Sequence, residues 1–193
     1  DLEVRGAGNL LGREQSGDIL SVGFDLYVKL LDEAIREIES DGEEEPEAET
    51  YLELEYSGYI PNAYVADATE KMEVYKKIAS ISDEKELDLV VSELEDRFGP
   101  PPDEVQSLMA LAEIRILCKK LHIASLKERR SVVEVEFGKV SAINASRVVE
   151  LVSSSGGKVR LDPKRPNVLI LESDVVGLKE KSEFLLGRLQ LLL

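Results

Sequence analysis

The sequence predicts an α+β fold: a helical block followed by a small sheet with flanking helices, preceded by an N-terminal loop-helix appendage. Between Asp67 and Leu121 apolar residues recur every three or four positions, the period of helices with one buried face. From Val133 to Leu171 the period changes to two, the pattern of half-buried strands. Helices come first and strands later, with a helix between them, an order that argues against a doubly wound sheet.

The chain opens on DLEVRGAGNLLGREQSG. A dinucleotide-binding turn needs G-x-G-x-x-G after a buried strand, and here Gly8 to Gly12 is one residue too long and follows a charged stretch. A Walker loop needs Lys and then Ser or Thr after its last glycine, where this chain has Arg13 and Glu14. Local chemistry thus favours a glycine-rich turn feeding a helix over a phosphate cradle. That helix follows, with Phe24, Tyr27, Leu31, Ala34 and Ile38 on one side and charged residues on the other. It runs into EIESDGEEEPEAET, an acidic, Gly- and Pro-containing stretch that reads as linker. A domain border is therefore expected near residue 48, dividing the chain into 1–48 and 49–193.

Leu52 to Tyr56 alternates like a strand, and Tyr59-Ile60-Pro61-Asn62 forms an extended entry to the helical block. Asp67 and Glu70 have capping-box spacing, with Ala68, Met72, Tyr75 and Ile78 tracing one helical face. Asp83 and Glu86 repeat the cap ahead of Leu87, Val90, Val91, Leu94 and Phe98, and Gly99 to Pro102 stops this second helix. Asp103 to Leu121, apolar almost all round, is the most buried helix. Three strands follow at Val133–Phe137, Lys158–Leu161 and Val168–Leu171, with a helix over 144–152 closed by Ser153 to Gly157. The last helix, over 176–193, ends in LLGRLQLLL, which either docks on the domain or awaits a partner.

With 193 residues and a formal charge of −15, the chain is expected to repel DNA and to suit a basic protein surface. Its basic spots, Lys127 with Arg129 and Arg130, and Lys158 with Arg160, Lys164 and Arg165, lack aromatic neighbours for base stacking and read as solvated surface. One cysteine, Cys118, excludes an internal disulfide and a thiolate zinc cluster, and it and the lone His122 read as core or boundary residues. No apolar run approaches the roughly 20 residues of a membrane span and no signal pattern is visible, so a cytoplasmic protein with no membrane contact is expected. No nucleophile with its base and no singular carboxylate pair stands out, so no self-contained active site is expected.

Two sets of residues resemble a known family. DLEVRGAGNLLGREQSG and the following VGFDLYVKLLDEA are similar to the segment ending the second motor lobe of the transcription-repair coupling factors, bacterial ATP-dependent DNA translocases. YIPNAYVADATEKMEVYKKIAS and ELEDRFGPPPDEV resemble that family's C-terminal domain. Beyond residue 124 the resemblance lies in pattern more than in letters.

The resemblance implies that residues 1–48 are the tail of the motor lobe and 49–193 a regulatory domain. It makes Arg5, Gly6, Gly8, Gly12 and Gln15 parts of a loop coupling ATP hydrolysis to translocation, with ATP and Mg held elsewhere in the parent motor and no cofactor in this fragment. It also makes Glu93, Asp96 and Arg97 an interdomain interface with the N-terminal UvrA-binding region of the same protein, whose parent engages RNA polymerase, UvrA and duplex DNA. Spacing alone describes Glu93 and Arg97 as an ordinary exposed i,i+4 pair. Two other readings stay open, a constitutive protein-binding module using the apolar C-terminal helix and an unrecognised stand-alone enzyme.

Overall fold

Local caps set the helical boundaries in the computed structural model, which describes residues 31, 34–36, 49–55, 58–140, 143–175 and 177–193. Arg5, Gly6, Gly8, Gly12 and Gln15 lie outside the described residues, as do Phe24, Tyr27, Ile38 and most of the acidic linker. Leu31 and residues 34–36 are helical, with Leu31 and Ile35 exposed. From residue 49 the order is β1 (Tyr51–Glu53), α1 (Ala68–Ala79), α2 (Glu84–Phe98), α3 (Asp103–Lys120), β2 (Ile123–Arg129), β3 (Val132–Phe137), α4 (Ala145–Ser154), β4 (Val159–Asp162), β5 (Arg165–Glu172) and α5 (Leu178–Gln190). The α+β class is as the sequence predicts. The chain forms two compact units, and residues 49–193 are shared between them.

The helical unit comprises Leu54–Cys118 and Asp174–Gln190. The Asp67 carboxylate caps α1 by accepting from the Thr69 and Glu70 amides at 2.7 and 3.3 Å. Asp83 caps α2 by accepting from the Glu86 amide at 2.9 Å, while the Glu86 carboxylate reaches back to the amide and hydroxyl of Ser82. Gly99 ends α2 where the sequence marks it, with φ 83° and ψ −171°, an extended positive-φ conformation open to glycine rather than the left-handed helical turn. Ile60, Val74, Ile78, Leu94, Val105, Met109, Ala112 and Ile116 belong to one buried cluster drawn from α1, α2, α3 and the segment before α1.

The face of α1 differs from expectation. Val74 and Ile78 are buried, whereas Ala68 is exposed and Met72 is 56% exposed. At about 100° per residue Met72 lies about 200° from Val74, so the two stand on opposite sides of the helix. Buried residues surround α3 as expected, Cys118 among them. Burial pushes the Cys118 thiol up to about 12, the behaviour of a core residue with no thiolate chemistry at neutral pH. The Arg115 guanidinium donates to the carbonyls of Ile78 and Ala79 at 3.1 and 3.2 Å, satisfying the C-terminal end of α1.

The sheet unit comprises the described residues through Glu53, Lys119–Ser173 and Leu191–Leu193. Its strand order is β1-β2-β3-β5-β4, with β1 parallel to β2 and every other pairing antiparallel. Strand β2 is absent from the sequence-based expectation, and the reason is a bulge between Ile123 and Ser125 that breaks the two-residue period. Strand β5 is longer than expected and includes Arg165. Leu126, Val133, Val135, Leu169 and Leu171 are buried.

Both basic spots are drawn into ion pairs on the sheet. Arg129 meets Glu53 at 3.3 Å, Arg160 meets Glu172 at 2.6 Å, and Arg165 meets Glu134 and Asp162 at 2.9 and 2.8 Å. Lys127 lies 5.6 Å from the centre of the Tyr51 ring. At the C-terminal end Leu185, Leu189 and Leu192 are buried, while Leu191 and Leu193 are exposed. Three of the six leucines in LLGRLQLLL are therefore covered within the chain.

Gly58 allows an unusually close approach of two backbones. A Cβ there would stand 2.4 Å from the Glu104 carbonyl oxygen and 2.6 Å from the Leu108 nitrogen, both in the backbone of α3. Gly58→Ala is expected to destabilise the helical unit by about 1–3 kcal/mol, because helical backbone cannot yield as a flexible side chain can. Urea unfolding checks this, and an unchanged midpoint would count against the close approach.

Candidate functional site

Helix α2 carries two unlike faces. Leu94 is 1% exposed, and Leu87, Val90, Val91 and Phe98 pack partly buried against the helical core. Those side chains fix the rotation of the helix, which leaves Glu93, Asp96 and Arg97 on its outer side. Asp96 and Arg97 are exposed and Glu93 is half-buried, so the three predicted interface residues share an accessible face.

Two of the three are joined. The Arg97 guanidinium donates to Glu93 Oε1 at 3.0 Å, and the Lys77 ammonium of α1 donates to the same oxygen. Arg97 also meets Glu70 at 3.6 Å, giving an alternating Lys77–Glu93–Arg97–Glu70 chain across α1 and α2. The hydrogen bonds from Lys77 and then Arg97 hold the Glu93 carboxyl below its usual pKa. Asp96 makes no ion pair among the described residues. The exposed i,i+4 pair read from spacing is thus formed, and Asp96 stands apart from it.

The C-terminal end of the helix is held from below. The Tyr64 hydroxyl lies 2.9 Å from the Gly99 carbonyl oxygen and 3.3 Å from that of Leu94, so its one proton is shared between them. Burial, followed by the nearby Glu95 carboxylate, raises the pKa of that phenol. The Tyr64 and Phe98 rings meet with centroids 5.7 Å apart, and the Arg97 guanidinium sits 4.8 Å from the centre of the Phe98 ring. A stack of Tyr64, Phe98 and Arg97 therefore orients the cation that Glu93 receives.

The face is charged. It offers carboxylates, one guanidinium and one ammonium at the surface, with no nucleophile and base in contact. Among the described residues no group of three or more His, Cys, Asp or Glu is placed to hold a metal ion. No helix among them is long and apolar enough to cross a membrane. Sequence reasoning missed Lys77 and Glu70, which lie too far along the chain for any local pattern to pair them with α2.

A family model, the TRCF domain, matches residues 54–148, which contain the whole of this face. The transcription-repair-coupling factor of Borreliella burgdorferi is 37% identical over 196 residues, covering 100% of this chain and 17% of the relative. The chain belongs to the transcription-repair-coupling factor family.

Other members of the family agree. Those of Bacillus subtilis and Escherichia coli are each 35% identical over 83% and 84% of this chain, and the chain spans 14% of the length of each. The crystal structure of the C-terminal domain of a transcription-repair coupling factor shares the fold, with a TM-score of 0.65 at 24% identity, over 75% of this chain and 92% of that one.

Glu93→Gln is expected to lower stability at neutral pH by no more than about 1 kcal/mol, because both ion pairs are exposed and screened by solvent. The folded carboxyl titrates below its unfolded value of about 4.3, so the contribution is complete above that value. It is lost as the pH falls through the lower, folded value. Urea unfolding of wild type and variant should show the difference shrinking both in 1 M salt and at acid pH. A penalty that persists under both conditions would mean that Glu93 acts through packing.

Proposed function

We propose that this chain is the C-terminal part of an ATP-dependent DNA translocase that couples transcription to nucleotide-excision repair, and that its helical unit is autoinhibitory. Glu93, Asp96 and Arg97 dock on the N-terminal region of the same protein and cover the surface that recruits UvrA. Engagement of stalled RNA polymerase by the motor releases that contact. The observation that carries the reading is the outward presentation of these three residues on a helix whose opposite side is locked into a core. The names of the relatives and the formal charge of −15, suited to a basic docking surface, support it further.

Charge reversal tests the reading in full-length protein. Arg97→Glu, Glu93→Lys and Asp96→Lys are each expected to raise UvrA binding while ATP turnover does not fall. Pull-down of UvrA by the variants decides it: binding no stronger than wild type for all three would remove these residues from the interface.

Residues 1–48 belong, in this reading, to the end of the second motor lobe. Arg5 and Gln15 switch partners as the lobes move, and Gly6, Gly8 and Gly12 allow the tight turn between them. ATP and Mg bind elsewhere in the parent, and duplex DNA is gripped by the motor. Arg5→Ala and Gln15→Ala in the full-length protein should reduce translocation along DNA more than ATP hydrolysis. Equal loss of both would indicate a folding or nucleotide-site defect in place of lost coupling.

A further inference from the structure

Leu89 is an apolar side chain on the wrong side of α2. It is 70% exposed, and at about 100° per residue it stands about 140° from Leu94. The same spacing puts it about 20° from Asp96 and about 40° from Glu93. It borders a groove of about 410 Å³ between α1 and α2, a size that accepts a few side chains. Ile81 is buried and Val90 half-buried in that lining, while Lys76 and Lys77 come from α1 and Glu93 from α2. An apolar centre edged by charge is the layout of a binding hot spot.

We infer that this groove is the anchor point of a protein-docking surface, and that its occupant is a basic segment inserting an aliphatic or aromatic side chain against Leu89 and Val90. The inference rests on the interface reading of Glu93, Asp96 and Arg97 and specifies what the opposing surface carries. The groove's lining balances Lys76 and Lys77 against Glu86 and Glu93, so the charge that chooses the partner comes from the rest of α2. Helix α2 bears six carboxylates, at 84, 86, 88, 93, 95 and 96, against Lys85 and Arg97. The ammonium of Lys77 is already engaged by Glu93, and Asp96, about two turns from Leu89 along the same side of α2, has no ion pair among the described residues. A second copy would set one acidic helix against another, and nucleic acid would meet the same repulsion.

The test uses the full 193-residue chain and three synthetic helical peptides, followed by NMR. One peptide carries a Leu/Phe stripe flanked by arginines, one keeps the arginines with Ser and Gln in the stripe, and one keeps the stripe with glutamates. The first should perturb amides between 76 and 96 and bind at least tenfold more tightly than the others. Leu89→Ser should weaken it about tenfold or more, with Leu89→Met retaining binding and the core resonances of Leu94 and Val74 unchanged. Absence of binding, equal binding of the arginine-only peptide, or indifference to Leu89→Ser would overturn the inference. Sedimentation showing a Leu89-dependent dimer would overturn it too, by assigning the groove to a second copy.

Titration with the N-terminal region of the parent separates this inference from the reading beneath it. Binding that is lost on Arg97→Glu yet unaffected by Leu89→Ser would sink the groove and leave the interface standing. Docking of the basic peptide with no competition from the N-terminal region would do the reverse.

Discussion

Burial of Leu94 is the constraint from which the rest of α2 takes its orientation. A helix repeats every 3.6 residues, so fixing Leu94 in the core with Leu87, Val91 and Phe98 beside it decides where every other side chain points. Removing that side chain would cost about 2–5 kcal/mol in a core of this kind. Each exposed ion pair on the outer face contributes about 1 kcal/mol or less. The dry side therefore sets the geometry, and the charged side inherits it. Tyr64 secures the same end of the helix twice, through its hydroxyl at the Gly99 turn and through its ring against Phe98.

This difference in magnitude bears on what the charged face is for. The Lys77–Glu93–Arg97–Glu70 chain does little for stability, so its residues are available to change partners without unfolding the unit. A docking surface would have to offer Glu93 and Arg97 replacements for the bonds they already make. Asp96, with no ion pair of its own, would gain a cation at no such cost. In the proposed interface the three residues would be unequal, Asp96 attracting a basic partner and Glu93 and Arg97 setting a specific geometry once it arrives.

Local features of the fold were legible in the sequence because their causes are local. Asp67 and Asp83 each cap the helix that their spacing announces, and Gly99 takes a positive-φ turn ahead of the prolines. Strand β3 alternates cleanly and was readable, whereas the bulge in β2 places buried Ser125 and Leu126 side by side and hides the strand. Met72 misled because a side chain can be apolar and still fall outside the buried arc. The strand order and the Lys77–Glu93 pair depend on contacts between distant residues, for which one sequence carries no signal. Leu89 did carry one: it is apolar and out of phase with the stripe that contains Leu87 and Leu94.

The sheet unit sharpens the electrostatic argument by accounting for its cations. Arg129, Arg160 and Arg165 each face a carboxylate on a neighbouring strand or turn, so the arginines among the seven cations of the spots that look basic in the sequence are largely paired. Arg165 donates to Glu134 and Asp162, which raises its own pKa and lowers that of Glu134, while Asp162 is lowered first by the Lys164 backbone amide and then by Arg165. With these cations engaged, the surplus of carboxylates is what the chain presents at a distance. Attraction of that kind is long-ranged, unspecific in register and weakened by salt. An exposed leucine at a groove has the opposite properties, acting only at contact, in one position and with little dependence on salt. A surface that combines the two can gather basic partners by charge and still accept only one that brings an apolar side chain to the right place.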